Sequence, residues 1–240
     1  MRRFLPLLML LAGCSVAQPP VPQPLPVPQI VQPAAFSGRV DPTTAVRNFI
    51  SVTDRMEPML ERECAARSVG VNCDFLIVVD DRPGRPPNAF QTLDEAGRPI
   101  IAFTVALIGE AQNQDELAFV LGHEAAHHIA GHIPRVQESA LQGALIFGTL
   151  ASLGGGTQAS VQAAQELGAT VGARRFSQEF ELEADALGTI VAFRAGYDPE
   201  RGAEFFTRIP DPGESFLGSH PPNAARIQVV QATLAGLRGF

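Results

Sequence analysis

The chain has 240 residues, 45% of them hydrophobic and 18% charged, with a formal net charge of −7. That length supports one well-buried core rather than two large domains. The acidic balance argues against nucleic acid as a partner and against electrostatic attachment to anionic headgroups, so any hold on a membrane must come from something other than a basic face.

Met1-Arg2-Arg3 is a short positive stretch, Phe4 to Leu11 is a compact apolar run, and Leu11-Ala12-Gly13-Cys14 sets small residues just before a cysteine. This is the pattern of a signal peptide, residues 1–13, ending in a lipobox, with Cys14 as the acylated first residue of the mature chain. The apolar run is less than half of the roughly 20 residues that a spanning helix needs, so a lipid is the expected anchor. Ser15 follows the cysteine in place of an aspartate, which favours delivery to the outer of two membranes. From Gln18 to Pro33 almost every second residue is proline. Such a segment favours extended polyproline II, and about 20 residues at roughly 3.1 Å each reach some 60 Å from a membrane surface. Residues 14–36 therefore read as a lipidated N-terminus and tether, and 37–240 as the folded domain. Export also bears on the remaining cysteines: Cys64 and Cys73, a short loop apart in an oxidising compartment, are expected to form a disulfide.

Composition becomes globular from about Ala35. Thr43 to Ala66 reads as a helix with Val46, Phe49, Ile50, Val52 and Met56 on one side, and Phe75 to Val79 reads as a buried strand. A Pro/Gly-rich turn follows over Asp80 to Asn88, with a second strand near Ile100 to Val105. Helices dominate thereafter. Asn113-Gln-Asp-Glu116 carries a capping-box pattern, Leu117, Val120, Leu121 and Ile129 supply an apolar face, and Gly131 with Pro134 ends that helix. Leu141 to Gly172, rich in Ala, Gly and Leu, is expected to pack as a tight helical hairpin. A further helix runs from about Ser177 to Arg194, closed by Gly196.

The chemistry concentrates in His123-Glu124-Ala-Ala-His127. Histidines at i and i+4 stand on one helix face and can reach one metal, with Glu124 beside the open position. A catalytic zinc takes three protein ligands, so a third must come from elsewhere. His132 lies one residue short of the spacing that a third histidine on the same segment requires, and reads as solvent-facing or as a partner of a ligand. His128 points about 100° away from His127 on the helix wheel. Downstream, Glu181 and Asp185 share a helix face: one can ligate while the other accepts a hydrogen bond from a ligand histidine. Glu183, between them, reads as a surface charge.

With Leu121-Gly122-His123-Glu124-Ala-Ala-His127, Glu181-Leu-Glu-Ala184-Asp185, Gly196-Tyr197-Asp198-Pro199, and Ser219-His220-Pro221 followed by Arg226-Ile227, the chain resembles the HtpX-like and prenyl-protein-protease-like gluzincin metallopeptidases. The resemblance is particularly to the small periplasmic lipoprotein members related to BepA, over roughly Asp41 to Leu237. It implies an α+β, mostly helical zincin-type domain with a small β-sheet. It implies Glu181 as third ligand to one Zn2+ per chain and Asp185 as the residue orienting His123. It also implies His220 at a fourth zinc position in a resting form or near the reacting carbonyl, with Arg226 assisting there. One departure is local: Asn88-Ala89-Phe90 is followed by Gln91-Thr-Leu-Asp-Glu-Ala-Gly97 instead of a Pro-Gly-Gly turn, at the cleft edge that pairs with substrate backbone.

The expected activity is zinc-dependent endopeptidase chemistry, with Glu124 as general base, on misfolded or misassembled envelope proteins from a lipid-anchored position on the periplasmic side of the envelope. The rival is a zinc-stabilised, chaperone-like binding lipoprotein that does not cut. Glu124 separates the two, because a purely structural zinc site has no use for an unligated carboxylate beside the metal.

Overall fold

The computed structural model describes residues 40–175, 177–209 and 221–239. Cys14, the proline-rich tether and His220 lie outside them. Helix α1 (Pro42–Arg67) opens where the Asp41 side chain accepts from the Thr44 N–H and Pro42 takes the first helical position, where a missing N–H costs nothing. Its inward stripe is Ala45, Phe49, Val52, Met56, Leu60 and Cys64. Val46 and Ile50, expected on that stripe, are 55% and 53% exposed. They sit one position round from Ala45 and Phe49, and one residue turns a helix by about 100°.

A disulfide joins Cys64 to Cys73 across a Cα–Cα distance of 5.7 Å and ties the end of α1 to the entry of the sheet. The sheet has three strands, β1 (Leu76–Asp80), β2 (Ala89–Leu93) and β3 (Pro99–Thr104), in the order β1-β3-β2. β1 runs parallel to β3, with Leu76 opposite Ile100, and β2 runs antiparallel to it, with Gln91 opposite Ile101. The strand read as buried is an edge: β1 leaves Val79 exposed, while Ile101, Ala102 and Phe103 of β3 are buried. Position in the sheet, not apolar content, decides burial here. β2 was not legible as a strand.

Helix α2 (Val105–Glu110) follows β3, capped by Thr104. Then come α3 (Gln114–Ile129), α4 (His132–Leu153), α5 (Gln158–Arg175), α6 (Ser177–Arg194), α7 (Pro199–Ala203), a 3-10 turn over Glu204–Thr207 and α8 (Asn223–Arg238). Phe49, Met56, Leu60, Phe75, Phe103 and Leu121 lead one core that joins α1, the sheet and α3. Phe119, Ala203, Phe206 and Val230 form a second, smaller one. As expected, α4 and α5 make a close hairpin: a Cβ on Gly143 would fall on the carbonyl of Gly168, and one on Gly172 on that of Ser139. α6 ends where Gly196, at φ +86°, lets Tyr197 N–H return to the Ala192 carbonyl and its own N–H to Phe193. That is the paired closure a left-handed C-terminal residue permits.

Candidate active site

The cap read before α3 forms, with the return bond one residue earlier than in a capping box. Asn113 accepts from the Glu116 N–H, and the Glu116 carboxylate accepts from the Gln112 N–H. Two turns on, His123 and His127 occupy the face that meets α6. The crossing of the two helices rests on glycine. A Cβ on Gly122 would lie 2.9 Å from the Gly188 carbonyl oxygen, and one on Gly188 would lie 2.8 Å from the His123 nitrogen. Backbone therefore meets backbone, and side chains from both helices reach one point.

At that point His123 Nε2 lies 3.1 Å from His127 Nε2 and 3.5 Å from Glu181 Oε2, and His127 Nε2 lies 3.4 Å from Glu181 Oε1. Among the described residues, His123, His127 and Glu181 are the group whose ligand atoms converge closely enough for a metal ion. Tetrahedral zinc with ligand bonds of about 2.0 to 2.2 Å separates its ligand atoms by about 3.4 Å, so the donor set fits zinc in kind and in spacing.

Asp185, fully buried, places Oδ1 2.9 Å from His123 Nδ1. A carboxylate can only accept, so Nδ1 carries the proton and Nε2 turns its lone pair to the shared point. Arg226 of α8 grips Asp185 with Nε on Oδ2 at 2.8 Å and a terminal nitrogen on Oδ1 at 2.7 Å, and lies 3.9 Å over the Phe206 ring. The same group passes 3.7 Å from Glu181 Oε2. Arg226, placed by resemblance beside the reacting carbonyl, is paired in the structure with the carboxylate that orients His123 and lies beside the ligand Glu181. Burial draws the His123 pKa down, but the carboxylates of Asp185 and Glu181 outweigh it and raise it to about 9. His127 is lowered to about 3 by burial and by its neighbour His123.

Glu124 is partly buried, and burial holds its pKa above the usual carboxylate value. The backbone N–H of Gln91 in β2 is near enough to offset part of that shift. The ladder explains the availability of that N–H. Asn88 and Thr104 exchange hydrogen bonds across β2 and β3, so alternation turns Gln91 outward, away from β3. The free edge of β2 therefore borders the carboxylate expected to act as base.

His128 is a core histidine, bonded through Nε2 to the Asn72 carbonyl at 2.7 Å and set edge-on to Phe75. Of the two readings of His132 the structure favours the partner of a ligand, and Glu183, a surface charge as read, is tied to it. His132 is only 3% exposed, and its Nδ1 lies 2.8 Å from His127 Nδ1. Glu183 is half exposed but bonds both His132 Nε2 and Arg135. The cluster forms at Gly131, whose positive φ of 66° breaks the helix between the two histidines.

The model of peptidase family M48 matches residues 54–234, which contain all of these groups. The chain is 31% identical over 131 residues to a putative beta-barrel assembly-enhancing protease of Vibrio cholerae serotype O1, covering 51% of this chain and 26% of that protein. It is 35% identical over 125 residues to a beta-barrel assembly-enhancing protease of Yersinia pestis, covering 49% of this chain and 25% of that protein. The corresponding protein of Escherichia coli K12 is 33% identical over 125 residues, with the same 49% and 25% coverage. The chain thus matches about a quarter of the length of these curated relatives.

Proposed function

The chain belongs to peptidase family M48, and from that premise we propose that it is a zinc-dependent endopeptidase of the bacterial cell envelope, acting on misfolded or misassembled envelope proteins. The observation that carries the reading is the convergence of His123, His127 and Glu181 from two helices onto one point, with Asp185 fixing the tautomer of His123. The zinc these three residues would hold supplies Lewis acidity, which acidifies water and draws electrons from a peptide carbonyl.

The remaining work falls to the protein. Glu124, with its proton affinity raised by burial, accepts the proton of the attacking water and returns it to the leaving amine. Glu124 lies beside the Gln91 backbone, on the side on which an extended peptide would lie. The outward backbone groups of β2 suit a substrate strand laid along the edge, a mode that asks for unfolded chain and little side-chain preference. Asp185 and Arg226 keep His123 oriented through the cycle. The envelope assignment is supported by the signal and lipobox pattern through Cys14 and by the likeness to beta-barrel assembly-enhancing proteases. His220, outside the described residues, is proposed either at a fourth zinc position in a resting form or near the reacting carbonyl.

Glu124→Gln tests the reading, since it preserves size and hydrogen-bonding shape but cannot take a proton. Zinc content and fold should survive, while cleavage of an unfolded outer-membrane protein should fall by about 10²- to 10⁴-fold. A binding protein that does not cut would show no wild-type fragments to lose. Equal zinc-dependent fragment yields from wild type and variant would rule Glu124 out as the base.

A further inference from the structure

Both histidines of the site are backed by a carboxylate, and each carboxylate is held by an arginine lying on a phenylalanine. On His123 the chain runs through Asp185 to Arg226, 3.9 Å over Phe206. On His127 it runs through His132 to Glu183 and on to Arg135, 4.2 Å over Phe180. The second chain carries an extra imidazole, and nothing in the family match or the relatives assigns it a role.

We propose that His132, anchored by Glu183 and Arg135, is a positioning residue that fixes the tautomer and ring plane of His127 and thereby sets how tightly the site holds its metal. This inference rests on the zinc-site reading above. The direction of each hydrogen bond follows from the far end. The Glu183 carboxylate can only accept, so His132 Nε2 carries a proton and donates at 3.2 Å. His132 Nδ1 is then left with a lone pair and accepts from His127 Nδ1–H at 2.8 Å. Only one arrangement of His127 remains: Nδ1 protonated, Nε2 free toward His123 and Glu181. A partner of this kind orients a ligand and raises its basicity, and its loss typically costs about 10- to 100-fold in metal affinity or activity.

The backbone is built to permit the contact. On an unbroken helix a residue five positions on is rotated by about 140° and cannot face its predecessor. Gly131, at φ +66°, ends α3 and restarts the chain as α4, which swings His132 back over His127. His132 then stacks on Phe180 of α6 at 4.7 Å between centroids, 10° from parallel, so its ring has little freedom to turn. Glu183 and Arg135 sit at the surface, where they can be changed without opening the core.

The test is His132→Phe, which keeps the ring stacked on Phe180 and removes the acceptor. Zinc affinity, measured by competition with a chelator, should fall about 10- to 100-fold. In nitrogen-15 histidine spectra of the zinc-bound protein, the slowly exchanging Nδ1 proton of His127 should disappear. His132→Asn, whose amide oxygen approximates the Nδ1 position, should restore part of both, a rescue that a packing role would not produce. Glu183→Leu, at an exposed position, repeats the test without touching the core and should give a smaller loss in the same direction. Wild-type affinity and an unchanged His127 proton in His132→Phe, or in Glu183→Leu should His132→Phe fail to fold, would overturn the proposal. Glu181→Ala separates that result from failure of the underlying site: if this variant still holds full zinc, the ligand set is wrong and the proposal falls with it.

Discussion

A proton and a metal ion compete for Nε2 of His123. In the metal-free protein, burial works against the charged imidazole, but Asp185 and Glu181 raise its pKa to about 9, so the ring is charged at neutral pH. A ligand must be neutral, so zinc has to displace that proton. The sign follows: zinc affinity is weakest in acid, climbs about tenfold per pH unit, and flattens above the pKa of His123. His127, lowered to about 3 by burial and by His123, is already neutral and adds no slope over that range. Calorimetry near pH ~6 in buffers of different ionisation heat should therefore count about one proton released per zinc. Asp185→Asn should bind zinc more weakly and release a smaller fraction of a proton. Zero release from the wild type would mean that the carboxylates do not hold His123 charged.

Between helices, the site depends on a crossing that has no room for a methyl group. Gly188 faces the His123 nitrogen at 2.8 Å from where a Cβ would stand, and the obstacle is backbone, which cannot rotate aside. Gly188→Ala should push α6 away from α3, costing about 1 to 3 kcal/mol of stability by overpacking. It should also weaken zinc binding by at least about tenfold, because Glu181 and Asp185 ride on the displaced helix. Gly236 of α8, with nothing near its would-be Cβ, is the control. Gly236→Ala should leave zinc affinity unchanged and gain up to about 1 kcal/mol from helix propensity. Thermal melts with chelator titrations on both variants check the pair. A wild-type zinc affinity in Gly188→Ala would show that the crossing tolerates separation.

At the scale of the whole molecule, the question is what holds the protein to a membrane. Among the described residues no helix is long and apolar enough to cross one, and the chain is acidic. The proposed anchor is lipid on Cys14. Cys14→Ala should then move the protein from the membrane to the soluble fraction on sedimentation, with peptidase activity on a soluble unfolded substrate retained. Among the described residues α4 exposes Leu141, Leu145, Leu150 and Leu153. A Cys14→Ala variant that resists salt and carbonate washes would move the attachment to that surface.

What the sequence by itself determined is the part of the protein that is local. Helical spacing is enough to put His123 and His127 on one face, caps such as Asn113 and Gly196 mark helix ends, and two cysteines nine positions apart close a short loop. The bounds of α6 and the hairpin of α4 and α5 were legible for the same reason. Tertiary structure alone decided what depends on partners distant in the chain. Whether β1 lies at an edge or in the centre is set by strand order, and the stripe of α1 that turns inward is set by what packs on it. That Arg226 clamps Asp185 is decided by where α8 packs against α6. His132 and Glu183, which spacing did not bring together, became neighbours because a left-handed glycine bends the backbone by an angle that no side-chain pattern records.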